Sequence, residues 1–117
     1  MKFMQTIITI GVLALHLNTQ AIAAEVNQHT TEAIKHAEAA QTHGEAGHVK
    51  ALLEHTQESL THAKAAENEL ANAPQQHMTE SIKHLDEAIA HAKQDHADVA
   101  TKHVIEALQH MRGSAAE

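Results

Sequence analysis

Twelve histidines of the chain fall into four triplets spaced by seven: His29/His36/His43, His48/His55/His62, His77/His84/His91 and His96/His103/His110. Neutral imidazole is the commonest protein ligand for transition metals, and it gains a proton in the range where physiological pH varies. On an α-helix seven residues advance the chain by about 10.5 Å and return it to nearly the same angle. Each triplet is therefore one stripe along one helix face, and two rings of a stripe stand too far apart to share an ion. A second ligand must come from elsewhere, and the sequence offers two sources.

The first source is local. Glu32 follows His29 by three residues and precedes His36 by four, and the same order recurs as His55-Glu58-His62, His77-Glu80-His84, His84-Glu87-His91 and His103-Glu106-His110. Residues three or four apart are neighbours on a helix surface, so Glu32, Glu58, Glu80, Glu87 and Glu106 can each reach a ring or merely pair with Lys35 or Lys83. The second source is a facing helix. In antiparallel hairpins His43 meets His48, His36 meets His55 and His29 meets His62, with His91/His96, His84/His103 and His77/His110 as counterparts. Imidazole with some carboxylate suits Cu(II), Zn(II), Ni(II) and Fe, and the affinity order places Cu(II) first. The turn-proximal pairs His43/His48 and His91/His96 close the shortest loops and are expected to fill first, with Asp95 as a third ligand beside His96.

The elements that hold these rings follow from a repeat. Shifting the sequence by 48 residues superposes the first six of these histidines on the last six, Thr31-Glu32 on Thr79-Glu80, and Ile34-Lys35-His36 on Ile82-Lys83-His84. Alanine, Glu, Gln and Lys fill most intervening positions, and all are good helix formers. Gly44 and Gly47, Pro74 and Asp95 punctuate the chain, Asp95 as the expected cap of a last helix. The pattern predicts helices near 26–43, 46–72, 75–93 and 95–112. Bulky apolar residues stand mainly one and five places after each His, among them Leu53, Leu60, Met78, Ile82, Leu85, Ile89, Val104, Leu108 and Met111. Such a seam puts His on the flank of the core stripe rather than inside it. The fourth place is small: Ala33, Ala40, Ser59, Ser81, Ala88, Ala100 and Ala107. The predicted fold is all-α, an antiparallel up-down-up-down four-helix bundle of two duplicated hairpins, modules about 26–72 and 75–112.

Composition narrows the function. Residues 1–24 show Lys2, an apolar run and the small-residue stretch Ala21-Ile22-Ala23-Ala24, the order of a removable secretory signal peptide. Lys2 is the only charged residue of that stretch, so residues 25–117 carry 7 basic against 15 acidic residues, a formal −8, and form one metal-binding domain. The only aromatic residue is Phe3, and there is no cysteine. Base-stacking platforms, disulfides, thiolate sites and iron–sulfur clusters are thereby excluded, and the acidic balance opposes nucleic acid. Met78 and Met111 fall on core positions, which argues against a thioether Cu(I) site. No inward titratable pair or nucleophile–base constellation suggests an enzyme. The expectation is a monomer that meets metal ions and, once the signal is removed, no membrane; no protein partner can be named.

Residues 26–110, with all four histidine triplets and both modules, resemble the periplasmic small metal-binding protein family, whose members are exported bundles of histidine-bearing heptads without cysteine or aromatics. The resemblance implies a periplasmic protein that binds several divalent ions, copper included, for metal homeostasis, with the twelve histidines as ligands; the Glu assignments rest on spacing alone. The competing reading is a pH-responsive helical protein with incidental metal binding, since twelve protonations would carry the formal charge from −8 towards +4.

Overall fold

The computed structural model describes residues 26–117, so the signal-peptide expectation for 1–24 lies outside the described residues. Four helices follow one another: α1 (Gln28–Glu45), α2 (Val49–Glu69), α3 (Asn72–Lys93) and α4 (Ala97–Ala116). Among the described residues there is no strand. Helix α1 packs on α2 and α4, and α3 packs on the same two, so the four helices sit in a square. Contacts run in opposite directions along each neighbouring pair. His29 meets His62 while His43 meets His48, and Glu38 meets Arg112 while Gly44 lies under Thr101. The bundle is up-down-up-down.

Two hairpin turns share one construction. After α1 the amide of His48 donates to His43 O at 2.8 Å and that of Gly47 to Gly44 O at 3.0 Å; after α3, His96 donates to His91 O and Asp95 to Ala92 O, both at 3.0 Å. This is a Schellman motif, which needs a left-handed residue just past the helix. Gly47 (φ 74°) and Asp95 (φ 62°) supply it. Asp95 is thus the terminator of α3 rather than the predicted cap of α4, a place that His96 takes. Pro74 likewise sits inside the first turn of α3 rather than between the modules. There its missing N–H costs nothing, because first-turn amides have no intrahelical acceptor.

The core seam also departs from the expected one. Fully buried positions stand one and four places after each His: Ala37, Ala40, Leu52, Ala63, Ala66, Met78, Leu85, Ala88, Val104, Ala107 and Met111 among them. The bulky residues five places on, such as Ile34, Leu53, Leu60 and Ile82, are half-buried and cover the seam from its flank; Leu108 alone is sealed. Small side chains fill the centre because they allow the helices to approach closely. The closeness is visible in Ser59 Oγ, which donates across the hairpin to Ala33 O at 2.8 Å, and in Ser81 Oγ, which donates to Ala107 O at 3.0 Å. These are the same locus in the two modules, with the serine exchanged between helices. Met78 and Met111 are buried core residues.

Candidate metal centres

Around each helix, at about 100° per residue, the buried fourth- and first-place residues lie next to the His stripe, and the Glu three places on lies about 60° to its other side. Close approach of two seams therefore brings the His flanks of a hairpin together, with carboxylates outside them. The structure shows this in both modules.

The six rings of a hairpin form one continuous zigzag rather than three separate pairs. In the first module the order is His48, His43, His55, His36, His62, His29, with successive ring centroids 5.7, 5.3, 5.8, 5.6 and 5.5 Å apart. In the second it is His96, His91, His103, His84, His110, His77, at 5.9, 5.5, 5.7, 5.7 and 5.9 Å. The expected cross-hairpin pairs are all present. The diagonal steps, such as His43/His55 and His36/His62, join them into a ladder. Because each hairpin lies on its own side of the square, the two ladders occupy opposite faces.

Nitrogen spacing matches that of ligands on one ion. Two donors at tetrahedral Zn-type distances of ~2.0–2.1 Å stand roughly 3.3 Å apart. Nδ1 faces Nδ1 at 3.2 Å in His29/His62, 3.5 Å in His43/His48 and 3.4 Å in His84/His103. With neutral rings one N–H of such a pair donates to the other's lone pair; with an ion both lone pairs turn to the metal. His91 Nδ1 is buried with no hydrogen-bond partner among the described residues, and His55 Nδ1 is buried beside the Glu58 carboxylate at 3.4 Å without forming a hydrogen bond to it. A buried nitrogen in that state is an available ligand, so the residues fit a bound cation.

Carboxylates join at the middle of the ladders. Glu58 lies 2.7 Å from His36 Nδ1 across the hairpin and 3.4 Å from His55 Nδ1 on its own helix. Glu106 takes the equivalent place, 3.0 Å from His84 Nδ1 and 3.4 Å from His103 Nδ1. Glu87 approaches His103 Nδ1 at 3.2 Å. Ligand atoms converge in Glu32-His36-His62, His36-His55-Glu58 and His84-Glu87-His103, and Glu106 meets the Nδ1 atoms of the same His84/His103 pair. Each group takes its members from two helices. The carboxylates thus serve the facing helix as well as their own, which spacing along one helix could not show.

Glu80 does not join a set. Lys83 Nζ holds it at 2.6 Å, and that hydrogen bond pulls its carboxyl below the ordinary carboxylate range. Its repeat counterpart Glu32 is only loosely held by Lys35, at 3.7 Å, and stays near His36 and His62. The turn-proximal pairs are positioned by the turns themselves, through the backbone bonds His48 to His43 and His96 to His91. Neither Asp95 nor Glu45 belongs to any three-ligand set, so the turns offer two imidazoles where the middle offers three ligands.

Two carboxylates were not among the expected site residues. Glu69 Oε1 lies 3.8 Å from His29 Nε2, and Glu117 Oε1 lies 3.7 Å from His77 Nε2. The signal for them is the spacing itself: each stands seven residues after the last His of its stripe, His62 or His110.

A family model described as small metal-binding protein matches residues 1–114, and the chain belongs to that family. No curated protein matches it.

Proposed function

We propose that this small metal-binding protein is an exported, non-enzymatic carrier that buffers, scavenges or transports divalent transition-metal ions along its two histidine ladders. Cu(II) is preferred, with Zn(II), Ni(II) and Fe also held. The observation that carries the reading is the convergence of imidazole nitrogens and carboxylates from paired helices, with His36–Glu58 at 2.7 Å and His29–His62 at 3.2 Å. A nitrogen-and-oxygen set without thiolate follows the general affinity order, which puts Cu(II) highest and gives little selectivity among the others. The sites are open. His36, His84 and His103 are 21–27% exposed, His29 40% and His77 37%, so ions exchange with solvent rather than being sealed in. Accessible sites repeated along a ladder suit storage and hand-over better than a single catalytic ion.

The periplasmic location rests on the order of residues 1–24. No described helix is long and apolar enough to cross a membrane. The chain acts as a monomer in this reading, because each ladder is completed within one hairpin.

Native mass spectrometry with Cu(II), Zn(II) and Ni(II) in competition tests the proposal. Several ions per chain, with Cu(II) displacing the others, is the expected result. A single tight ion, with histidine substitutions silent, would overturn it.

A further inference from the structure

We infer that the two hairpins differ in affinity, and that the second carries the chain's strongest site: a four-ligand centre of His84, Glu87, His103 and Glu106 for one divalent transition-metal ion. This rests on the metal-binding reading and deepens it by naming where the first ion settles. The other positions, the turn pairs included, fill after it.

The repeat itself carries the difference. A shift of 48 residues matches His36 with His84, His55 with His103 and Glu58 with Glu106, but it sets Ala39 opposite Glu87. At this level the first hairpin brings two imidazoles and one carboxylate, and the second brings two imidazoles and two carboxylates. Glu87 stands one turn after His84 on α3 and reaches across to α4, with its Oε2 3.2 Å from His103 Nδ1. Lys83, four places earlier and so within reach along the helix, is taken by Glu80 at 2.6 Å.

Distances suit a single ion. Ligands of a tetrahedral ion with Zn-type bond lengths stand roughly 3.3 Å apart. His84 Nδ1 and His103 Nδ1 are 3.4 Å apart, Glu106 Oε2 lies 3.0 and 3.4 Å from them, and Glu87 Oε2 lies 3.2 Å from His103 Nδ1. Four of the six edges of a ligand tetrahedron thus have about the required length before any ion arrives. Both rings present the same edge, Nδ1, to the same space, and Glu87 converges with the pair. Four donors close the coordination sphere of a Zn-type ion, and two carboxylates cancel its charge. The set His36-His55-Glu58 leaves one position to water and one positive charge uncompensated.

The first hairpin is weaker for a second reason. Its two three-ligand groups, Glu32-His36-His62 and His36-His55-Glu58, both require His36. A neutral imidazole has one nitrogen that accepts and one that carries the proton. His36 can therefore serve one ion at a time, and the two groups compete for it.

The test is a sub-stoichiometric Cu(II) titration of the whole chain followed by NMR, with Zn(II) affinity read by competition against a chromophoric chelator. In the wild type, His84 and His103 should broaden before His36 and His55, which lie on the opposite face of the bundle. Glu87→Ala should abolish that precedence and weaken the tightest Zn(II) constant at least about tenfold, since losing even a ligand's hydrogen-bond partner costs that much. Asp86→Ala removes the same charge one place away and should change neither the order nor the constant. Ala39→Glu should bring the broadening of His36 and His55 level with that of His84 and His103. Earlier broadening at His36 and His55 in the wild type, or a Glu87→Ala chain that binds no more weakly than Asp86→Ala, would overturn the inference. Several ions bound by the wild type in no order would overturn this site alone. A wild-type chain that binds no ion would overturn the wider reading with it.

Discussion

Loading the bundle with metal should raise its melting temperature by an amount the geometry sets. The ligands of His36-His55-Glu58 come from α1 and α2, and those of His84-Glu87-His103 from α3 and α4, so neither set survives unfolding of its hairpin. An ion that binds only the folded state stabilises it by about 2.7 kcal/mol when free ion is a hundredfold above the dissociation constant. Two independent sites give about twice that. For a domain of this size 1 kcal/mol shifts the midpoint by roughly 4–8 °C, so one site alone is worth on the order of 10–20 °C. The core makes the gain conspicuous, since alanine dominates it and each buried alanine contributes less than the ~1.5–3 kcal/mol of a Leu or Met. The assay is thermal unfolding followed by circular dichroism, without metal and with Zn(II), which avoids redox chemistry. The His36→Ala/His84→Ala variant, with one ligand removed from each hairpin, should lose at least half of the shift. An unchanged midpoint at confirmed saturation would mean instead that the ions sit on single helices or on the unfolded chain equally well.

Other outcomes follow from the packing and the charges. Gly44→Ala should destabilise the fold by up to about 2 kcal/mol, since overpacking of ~1–3 kcal/mol outweighs a helix-propensity gain near 1 kcal/mol. A Cβ there collides with Thr101 Oγ1 and meets Thr101 Cβ at 3.1 Å and Leu52 Cδ1 at 3.3 Å. Adding Thr101→Ala should restore stability in urea unfolding, and no recovery would place the strain elsewhere. Metal should be released as pH falls through the histidine range, because a protonated ring has no lone pair to donate. Isothermal titrations at stepped pH read this directly, and pH-independent affinity would point to carboxylate-only sites. Lys83→Ala should return the Glu80 carboxyl to its ordinary range in an NMR titration. The pairing's contribution to stability exists above the ordinary carboxylate pKa and fades as pH falls through the lowered folded value; it is small, because Glu80 is solvated.

The sequence carried the fold and the ligand inventory because both are periodic. A seven-residue histidine spacing fixes a face, the 48-residue repeat fixes two hairpins, and the antiparallel sum of residue numbers pairs His29 with His62. What it did not carry depends on distance between elements. The diagonal steps that fuse three pairs into a ladder require the helix separation, which Ala37, Ala40 and Ser59 set by being small. The reach of Glu58 to His36 is likewise a cross-helix distance. Bulk was a poor guide to burial, since Leu53 and Leu60 cover the seam while alanines fill it. Asp95 reads as a helix cap by type, yet the turn demanded a left-handed residue and Asp tolerates that conformation. Pro74 reads as a break, yet a helix accepts it in its first turn. Glu69 and Glu117 keep the seven-residue spacing of the histidines but not their residue type.

Whether both ladders hold ions along their length can be read from anomalous diffraction by crystals of the Cu(II)-loaded protein. Several copper peaks are expected, distributed between the α1/α2 and α3/α4 grooves and including positions beside His36-Glu58 and His84-His103. A single peak, or peaks confined to residues outside the two ladders, would contradict this.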